Sequence, residues 1–450
     1  MRKTGLLAAA LAAAMALPAL AGGRGDLRGM EVVIGDWWSQ SAYGFPLPPR
    51  NETEEMTVAH RRRIQSENNF TMRVARIAGW GDMLQTASLS IMAGNPAASV
   101  FVLTPGWAMT LHRQGLIAPI GDTGVDFGPH RGPGDRRPTW NQGVRRLFTF
   151  GGQTYGMSVG YGGSLQAIVV FFNKRLFREA GLDPELPYNM QRDRTWTWGN
   201  FLALSRQLTR DTTGDGMMDT WAMPEDFTIP IIKGAVASNN ANFVGRNNQT
   251  GHFYNATGTP QFLEALQFVL QLRNEGLMMP TPEGAHWTWF QGVFADGTVA
   301  MRIDGLWNRS DLAGMTDDWG MVMFPRGPRA ADYAVFDFEN IMVVPATFAP
   351  DDVRRIVTAV EMWFQPVNQD PLAWQEPLWG VFRDRRAVTE TMAIIQNPNL
   401  VVWQYYQMVP GFSTSPIAWS MWHHDGDPSQ LIEAASLQWN ALIADANVGL

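Results

Sequence analysis

Residues 195–223 read TWTWGNFLALSRQLTRDTTGDGMMDTWAM, a helical pattern that passes directly into an Asp/Gly-rich loop. Thr197 is suited to be the N-cap of a helix, because its hydroxyl can accept a bond from a free backbone N–H group. The loop from Asp211 to Trp221 has aspartates and glycines spaced as in a calcium site. The stretch therefore predicts a helix and raises the question of a metal.

The Asp211–Trp221 loop is an incomplete calcium loop. An EF-hand places oxygen ligands at alternate positions, glycine at the sixth and a bidentate glutamate at the twelfth. The twelfth position is Ala222. A tight turn, with aspartates accepting backbone N–H bonds, is favoured over a weak calcium site because the strongest ligand is missing. Counted from Asp211, the other candidate ligands are Thr213, Asp215, the Met217 carbonyl and Asp219, with Gly216 at the sixth position.

Apolar segments alternate with helical patterns along the first part of the chain. MEVVIGDWW (30–38), FTMRVARIAGW (70–80) and ASVFVLTPGW (98–107) read as strands, and MTVAHRRRIQSENN (56–69) reads as a helix. LQAIVVFFNKRLFREAGLDP (165–184) reads as a buried strand followed by a short helix. This alternation is typical of βαβ units and predicts an α/β fold with a mostly parallel sheet.

The N-terminus predicts export. Arg2 and Lys3 precede a short Ala-rich apolar run, and Ala19-Leu20-Ala21 fits the rule for cleavage after a small residue, so residues 1–21 are expected to be a signal peptide. The chain has no cysteine, which excludes disulfides, thiol catalysis and a lipidated N-terminal cysteine. We therefore expect a periplasmic protein without a lipid anchor.

Net charge and amino-acid composition limit the kinds of molecule that the protein is expected to bind. The formal net charge is -7, which argues against nucleic acid as a partner. The chain contains 19 tryptophans, more than a core needs, because indole is bulky and carries a donor that requires a partner. Some of them are expected to line an open binding surface.

Signals for catalysis are weak. The motifs HExxH, GxSxG and GxxxxGK[ST] do not occur, and the only histidine pair, His423-His424, is made of neighbours whose side chains point apart on a helix or strand. A glycan hydrolase would need two carboxyl groups facing one cleft, which the pattern leaves open among 42 acidic residues. We expect a protein that is not an enzyme.

Three segments, taken together and in order, resemble the family 1 extracellular solute-binding proteins. This family comprises periplasmic sugar-binding components of ABC importers and includes maltose-binding protein. The segments are FFNKRLFREAGLDP (171–184), the stretch 195–223, and FADGTVAMRIDGLW (294–307). The Asp/Gly loop recurs in this family as a surface turn after a helix, so it marks the family more than it marks a metal site.

The resemblance implies two α/β lobes of the type II-like periplasmic binding protein fold, with mixed sheets flanked by helices and a hinge between lobes. It implies a monomer without a cofactor, which holds a carbohydrate in the cleft and delivers it to the membrane permease subunits of an ABC importer. The expected divisions are 30–158 plus about 341–390 for lobe 1, 165–333 plus about 391–450 for lobe 2, and crossovers near 158–165 and 334–341.

Aromatic and polar residues at matching positions are the candidate ligand contacts. Aromatic rings suit the apolar face of a pyranose, and polar side chains suit its hydroxyl rim. Trp107 and Trp307 match stacking tryptophans of the first and second lobes, although each could instead be a core or rim residue. Many relatives have Gly-Gly where this chain has DFENIMVVP, so Asp337, Glu339 or Asn340 could add polar contacts. The candidates are Asp36, Trp37, Trp38, Trp107, Tyr161, Phe227, Trp307, Glu339, Asn340 and Trp419.

Two other functions stay open at the level of sequence. One is binding of a non-sugar solute such as a peptide, a polyamine or a glycerol-phosphate. A phosphate would favour helix N-termini and arginines in the cleft, and a polyamine would favour several acids. The other is a secreted glycan hydrolase. The surplus of aromatic residues favours a sugar.

Overall fold

A computed structural model describes most of the chain. The described residues are 25–38, 43–132, 134–160, 167–225, 229–247, 249–286, 288–337, 339–368, 370, 372–423 and 427–448, with the side chains of residues 229 and 337 left out. Within these ranges no helix is both long enough and apolar enough to cross a membrane. The predicted signal peptide, residues 1–21, lies outside the described residues.

The strands are short and distributed along the whole chain. They are β1 (Met30–Asp36), β2 (Phe70–Arg76), β3 (Val100–Leu103), β4 (Thr149–Phe150), β5 (Gln153–Thr154), β6 (Ile168–Asn173), β7 (Met223–Pro224), β8 (Val244–Arg246), β9 (Phe253–Asn255), β10 (Met278–Met279), β11 (Met301–Gly305), β12 (Trp319–Met323), β13 (Val335–Asp337), β14 (Ile341–Val343) and β15 (Val401–Trp403).

Helices separate most of the strands. They are α1 (Glu52–Glu67), α2 (Met83–Met92), α3 (Pro105–Arg113), α4 (Gln142–Leu147), α5 (Lys174–Glu179), α6 (Leu186–Arg192), α7 (Trp198–Leu208), α8 (Ile229–Ser238), α9 (Pro260–Asn274), α10 (Trp289–Ala295), α11 (Pro350–Trp363), α12 (Ala393–Ile395), α13 (Ser415–Trp422) and α14 (Pro428–Ala446). Short 3₁₀ turns cover Trp80–Asp82, Leu306–Leu312, Ala373–Leu378, Pro398–Leu400 and Tyr405–Met408, and Ala387–Met392 is a π-helical turn.

Helix α7 begins where the sequence predicts. The Thr197 hydroxyl oxygen accepts a bond from the backbone N–H of Asn200 at 3.4 Å. The chain leaves α7 at Leu208 and enters the Asp/Gly loop directly. The helix-then-loop prediction for residues 195–223 is therefore confirmed.

The first sheet has the strand order β2-β1-β3-β14. Strand β1 pairs in parallel with β2 and β3, and β14 joins β3 antiparallel, with Ile341 opposite Leu103. Alternate residues point to opposite faces. One face packs against α1 and α11, through residues such as Val32 and Ile34, and the other packs against α2 and α3, through residues such as Val33.

The second sheet is built around β6, which is flanked by β11 and β12. Both neighbours run antiparallel to β6. The expectation of a mostly parallel arrangement is therefore wrong for this sheet. The alternation of apolar segments identifies strands, but it does not fix the direction in which distant strands pair.

The chain passes between the two sheets more than once. After β12 it returns to the first sheet with β14, and α11 packs on that sheet. The segment 387–395 then lies against the second sheet, where the Thr391 hydroxyl donates to the Met321 carbonyl at 2.6 Å. Two sheets connected by repeated crossings form the two-lobed fold that the resemblance implied. The lobe boundaries within this fold stay a prediction.

Candidate functional site

Each of the three parallel strands of the first sheet is followed by tryptophan. Trp37 comes directly after β1, Trp80 lies beyond the end of β2, and Trp107 lies in the first turn of α3, after β3. Because β2, β1 and β3 are neighbours and point the same way, their carboxyl ends meet at one edge of the sheet. This edge is where α/β folds bind ligands.

The four tryptophans at this edge form a cluster in which the other three rings each contact Trp37, and we call Trp37, Trp38, Trp80 and Trp107 the tryptophan platform. The ring of Trp37 lies 4.2 Å from Trp38, 5.1 Å from Trp80 and 5.4 Å from Trp107, between centroids. Trp80 and Trp107 are 4.6 Å apart. Trp80 is 55% exposed, and the other three are partly buried. The platform offers indole surface to solvent at the edge of the first sheet.

Polar groups surround the platform. Asp36 is buried at the end of β1, and its Oδ1 accepts a bond from the backbone N–H of Trp38 at 3.1 Å. Glu339 and Asn340 come just before β14, which runs beside β3, so they lie at the same edge. Burial raises the pKa of the Tyr43 hydroxyl, and the negative charges of Glu339 and Asp36 add to this shift. Asp36, Glu339 and Tyr43 therefore share one electrostatic environment.

Asn340 is the most deeply buried of the polar candidates outside β1. It is 5% exposed, and its Oδ1 has no hydrogen-bond partner among the described residues. Its backbone N–H donates to Glu339 Oε1 at 2.9 Å. A buried amide oxygen without a partner is costly, so a donor from a ligand or from water would stabilise it.

The second sheet contributes Trp307. This residue lies on the 3₁₀ turn Leu306–Leu312, which directly follows β11, and it is 38% exposed. The backbone N–H of Leu306 donates to the carbonyl of Ala167 at 2.9 Å, so the turn lies beside the start of β6. Strand β6 begins just after the first predicted crossover, and β14 begins just after the second. Trp307 and the platform therefore both lie at strand ends next to the predicted crossover segments.

Trp419 is the remaining candidate whose side chain the structure describes. Trp419 lies on α13, which packs against α8 and α14, and it is 51% exposed with its ring 4.4 Å from that of His423. Tyr161 and Phe227 lie outside the described residues, as does the side chain of Asp337. Their roles stay predictions.

Sequence reasoning did not propose Trp80 as a candidate. The sequence pattern predicts that Trp80 ends a strand, whereas the structure ends β2 at Arg76 and places Trp80 on a 3₁₀ turn. The signal was present, because a glycine-tryptophan pair follows β2 as it follows β3. Comparing the three strand ends with one another would have found it.

The Asp/Gly loop has the geometry of a turn. Asp211 accepts backbone N–H bonds from Gly214 at 2.6 Å and Gly216 at 2.8 Å, and Asp219 accepts from Thr212 N–H at 2.6 Å. The backbone bonds lower the pKa of the Asp211 carboxyl group, and a bond from the Thr212 hydroxyl at 2.7 Å, together with the backbone bond, lowers that of Asp219. Within the described ranges, no three His, Asp or Glu side chains are grouped as metal ligands. Both oxygens of Asp211 and one oxygen of Asp219 therefore accept bonds from the loop, which is the geometry of the tight turn that the sequence favours.

A separate cavity lies on the second lobe. It has a volume of about 600 Å³ between α7 and α9, and Trp198, Phe268 and Glu264 contribute to its wall. It shares no residue with the platform or with the Trp307 turn. The aromatic groups at the crossovers, and not this cavity, match the sequence candidates.

The sequence matches the profile of a known family. The profile described as bacterial extracellular solute-binding protein matches residues 61–397. No curated protein matches the chain.

Solved structures share the fold at low sequence identity. An ABC substrate-binding protein from Listeria monocytogenes, in complex with cycloalternan, has 17% identity and a TM-score of 0.61, with 93% of this chain and 98% of that one covered. A cyclic alpha-maltosyl-1,6-maltose binding protein from Arthrobacter globiformis has 16% identity and a TM-score of 0.60, covering 92% and 99%. UgpB from Mycobacterium tuberculosis, in complex with glycerophosphocholine, has 15% identity and a TM-score of 0.61, covering 95% and 100%.

Proposed function

We propose that this chain, which belongs to the family of bacterial extracellular solute-binding proteins, captures a carbohydrate between its two lobes and delivers it to an ABC importer. The observation that carries the proposal is the tryptophan platform at the carboxyl edge of the first sheet. Four indoles in contact, one of them more than half exposed, form a surface that a soluble protein does not need for its core.

The platform matches the chemistry of a sugar ring. A pyranose presents C–H groups on its faces and hydroxyls around its rim. The indole faces suit the first, and Asp36, Glu339 and Asn340 suit the second, since buried hydroxyls must find partners. Trp307 would supply a second aromatic face from the other lobe. A ligand held by both lobes stabilises the closed arrangement, because closure is favoured only by contacts that the open form lacks.

Two structural relatives support a carbohydrate ligand, and a third supports a phosphodiester as the second candidate. The proteins with cycloalternan and with cyclic alpha-maltosyl-1,6-maltose in their descriptions share this fold, as does the one bound to glycerophosphocholine. A phosphodiester would favour an arginine with an uncompensated charge. Arg302, buried on β11, is paired with Asp304 and Asp311 and so offers no uncompensated charge. Arg309, on the turn that carries Trp307, donates to the Leu306 carbonyl and keeps a phosphodiester as the second candidate.

The location, oligomeric state and lobe boundaries that we propose are those predicted from the sequence. The chain would be exported by its signal peptide, remain in the periplasm without a lipid anchor, act as a monomer and bind no nucleic acid. It would not catalyse a reaction on its ligand. The lobes would comprise 30–158 with about 341–390, and 165–333 with about 391–450, hinged at the crossovers.

A binding screen tests the proposal. The mature protein is heated with mono- and oligosaccharides and with glycerophosphocholine, and each compound that raises the melting temperature is titrated by calorimetry. Chromatography of the incubated sugars then measures any product. Tight binding of a sugar without product supports the proposal. Binding of glycerophosphocholine alone, or release of sugar products, would replace it with one of the two alternatives.

A further inference from the structure

The ring of Trp307 is folded back over its own chain onto Gly305. A Cβ atom built at Gly305 would lie under 3.0 Å from three carbons of the Trp307 ring, closer than Cβ atoms approach in real proteins. The Trp307 ring therefore occupies the space that a side chain at residue 305 would fill. The backbone at Gly305 has φ -72° and ψ 142°, which any residue adopts, so the glycine is not required by backbone conformation.

A buried polar network fixes the turn that carries Trp307. Asp304 Oδ1 accepts bonds from the Gly305 backbone N–H at 2.7 Å and from Asn308 Nδ2 at 3.0 Å. Asp304 Oδ2 accepts from Arg302 Nη2, which also contacts Asp311 Oδ2 at 3.1 Å. Asp304 therefore ties the residues on both sides of Trp307 to the strand.

We infer that Gly305 and Asp304 are positioning residues for Trp307: the glycine provides the seat of the ring, and the aspartate holds the turn in place. The inference rests on the proposed function, in which Trp307 contacts the ligand. A ring held in one orientation loses less conformational entropy on binding, so the seat contributes to affinity without touching the ligand. Residue 305 thereby determines whether the second lobe presents its aromatic face.

The substitution Gly305→Ala tests the seat. The added methyl group occupies the position of the ring, so Trp307 must leave its present orientation while the backbone conformation is retained. We expect a loss of affinity approaching that of Trp307→Ala, which is about 30-fold for an aromatic hot spot. The matched control is Gly314→Ala, at an exposed glycine just beyond the same turn with no atom within 4 Å of the added Cβ. This control should bind like the parent protein.

A double substitution separates displacement of the ring from damage to the lobe. Without the indole there is nothing for the methyl group to displace, so Gly305→Ala combined with Trp307→Ala should bind as Trp307→Ala alone does. Affinity is measured by calorimetry with the best sugar of the screen, and melting of each variant is recorded without ligand. If the losses of affinity from the two substitutions add up in the double variant, Gly305 does not act by positioning the Trp307 ring, because its effect is then independent of the ring.

The outcomes distinguish this inference from the proposed function. If Trp307→Ala weakens binding and Gly305→Ala does not, the inference about Gly305 is wrong, but the contact between Trp307 and the ligand is supported. If Trp307→Ala binds normally, the second-lobe contact fails, and the inference fails with it. If no sugar binds the parent protein, the proposed function fails before either variant is compared.

Discussion

At the scale of single residues, the described tryptophans range from fully buried to more than half exposed. Trp140, Trp196, Trp198, Trp319, Trp363 and Trp439 are buried in the core. Most of these have a partner for the indole N–H, as when Trp196 Nε1 donates to the Met323 carbonyl at 2.8 Å. The sequence argument that a core needs few tryptophans is therefore only partly right. Among the described tryptophans, Trp80, Trp307, Trp379 and Trp419 are exposed, and of these Trp80 and Trp307 lie just beyond the strands of the two sheets.

Trp80 is the most informative residue to change, because it is the most exposed ring of the platform. Trp80→Ala should weaken ligand binding by about 2 kcal/mol, or roughly 30-fold, if the ring stacks on the ligand. The melting temperature should change little, since an exposed side chain contributes little to the core. Calorimetric titration and thermal melting of the apo protein measure the two effects.

The control for Trp80 is Trp196→Ala, at a fully buried ring. Removal of that core tryptophan should cost about 3–5 kcal/mol of stability. If Trp80→Ala destabilises the protein to a similar degree, or leaves affinity intact, then Trp80 is a structural residue and the platform is smaller than proposed.

At the scale of elements, local patterns were predictable and distant pairings were not. The helix after Thr197 and the strands that end near Trp37 and Trp107 follow from caps, apolar runs and turn residues. The antiparallel pairing of β6 with β11 and β12 depends on contacts between segments far apart in sequence. The contact of Trp403 with Gly143 has no local signal of any kind, because both residues look ordinary in their own surroundings.

Gly143 is expected to be essential for the packing of β15 on α4. A Cβ at this position would overlap the ring of Trp403. Gly143→Ala should therefore destabilise the protein by about 1–3 kcal/mol through overpacking, despite the better helix propensity of alanine. Chemical denaturation measures the free energy of unfolding.

Gly199→Ala is the matched control for Gly143→Ala. Both glycines are the second residue of a helix, and a Cβ at Gly199 would have no atom within 4 Å. The control should be neutral or slightly stabilising, by up to about 1 kcal/mol. Equal effects of the two substitutions would show that Trp403 moves aside freely and that the contact is not tight.

The Asp/Gly loop should be independent of metal. Its carboxylates are already bound to backbone N–H groups, and glutamate is missing at the twelfth position. Addition of EDTA should leave both the melting temperature and the affinity for ligand nearly unchanged. A large drop in either quantity that calcium restores, but magnesium does not, would reveal a true calcium site at Asp211, Asp215 and Asp219.

At the scale of the whole molecule, the proposed closure of the lobes depends on how the chain crosses between the two sheets. The platform belongs to the first sheet and Trp307 to the second, and both lie beside the predicted crossover segments. A rotation at the crossovers therefore changes the distance between the two aromatic groups while each sheet stays intact. The resemblance gave this architecture from a few ordered motifs, because a fold recurs even where its ligand contacts differ.

Ligand binding should close the lobes and stabilise the protein together. A ligand that binds only the folded form raises the free energy of unfolding by RT ln(1 + [L]/Kd), about 2.7 kcal/mol at a hundredfold excess over Kd. The best sugar of the screen should therefore raise the melting temperature and reduce the radius of gyration in X-ray scattering. Trp307→Ala, at a sugar concentration below its weakened Kd, should show neither change. A sugar that binds tightly and raises the melting temperature while the scattering curve stays the same would refute closure, since the ligand would then be held by one lobe alone.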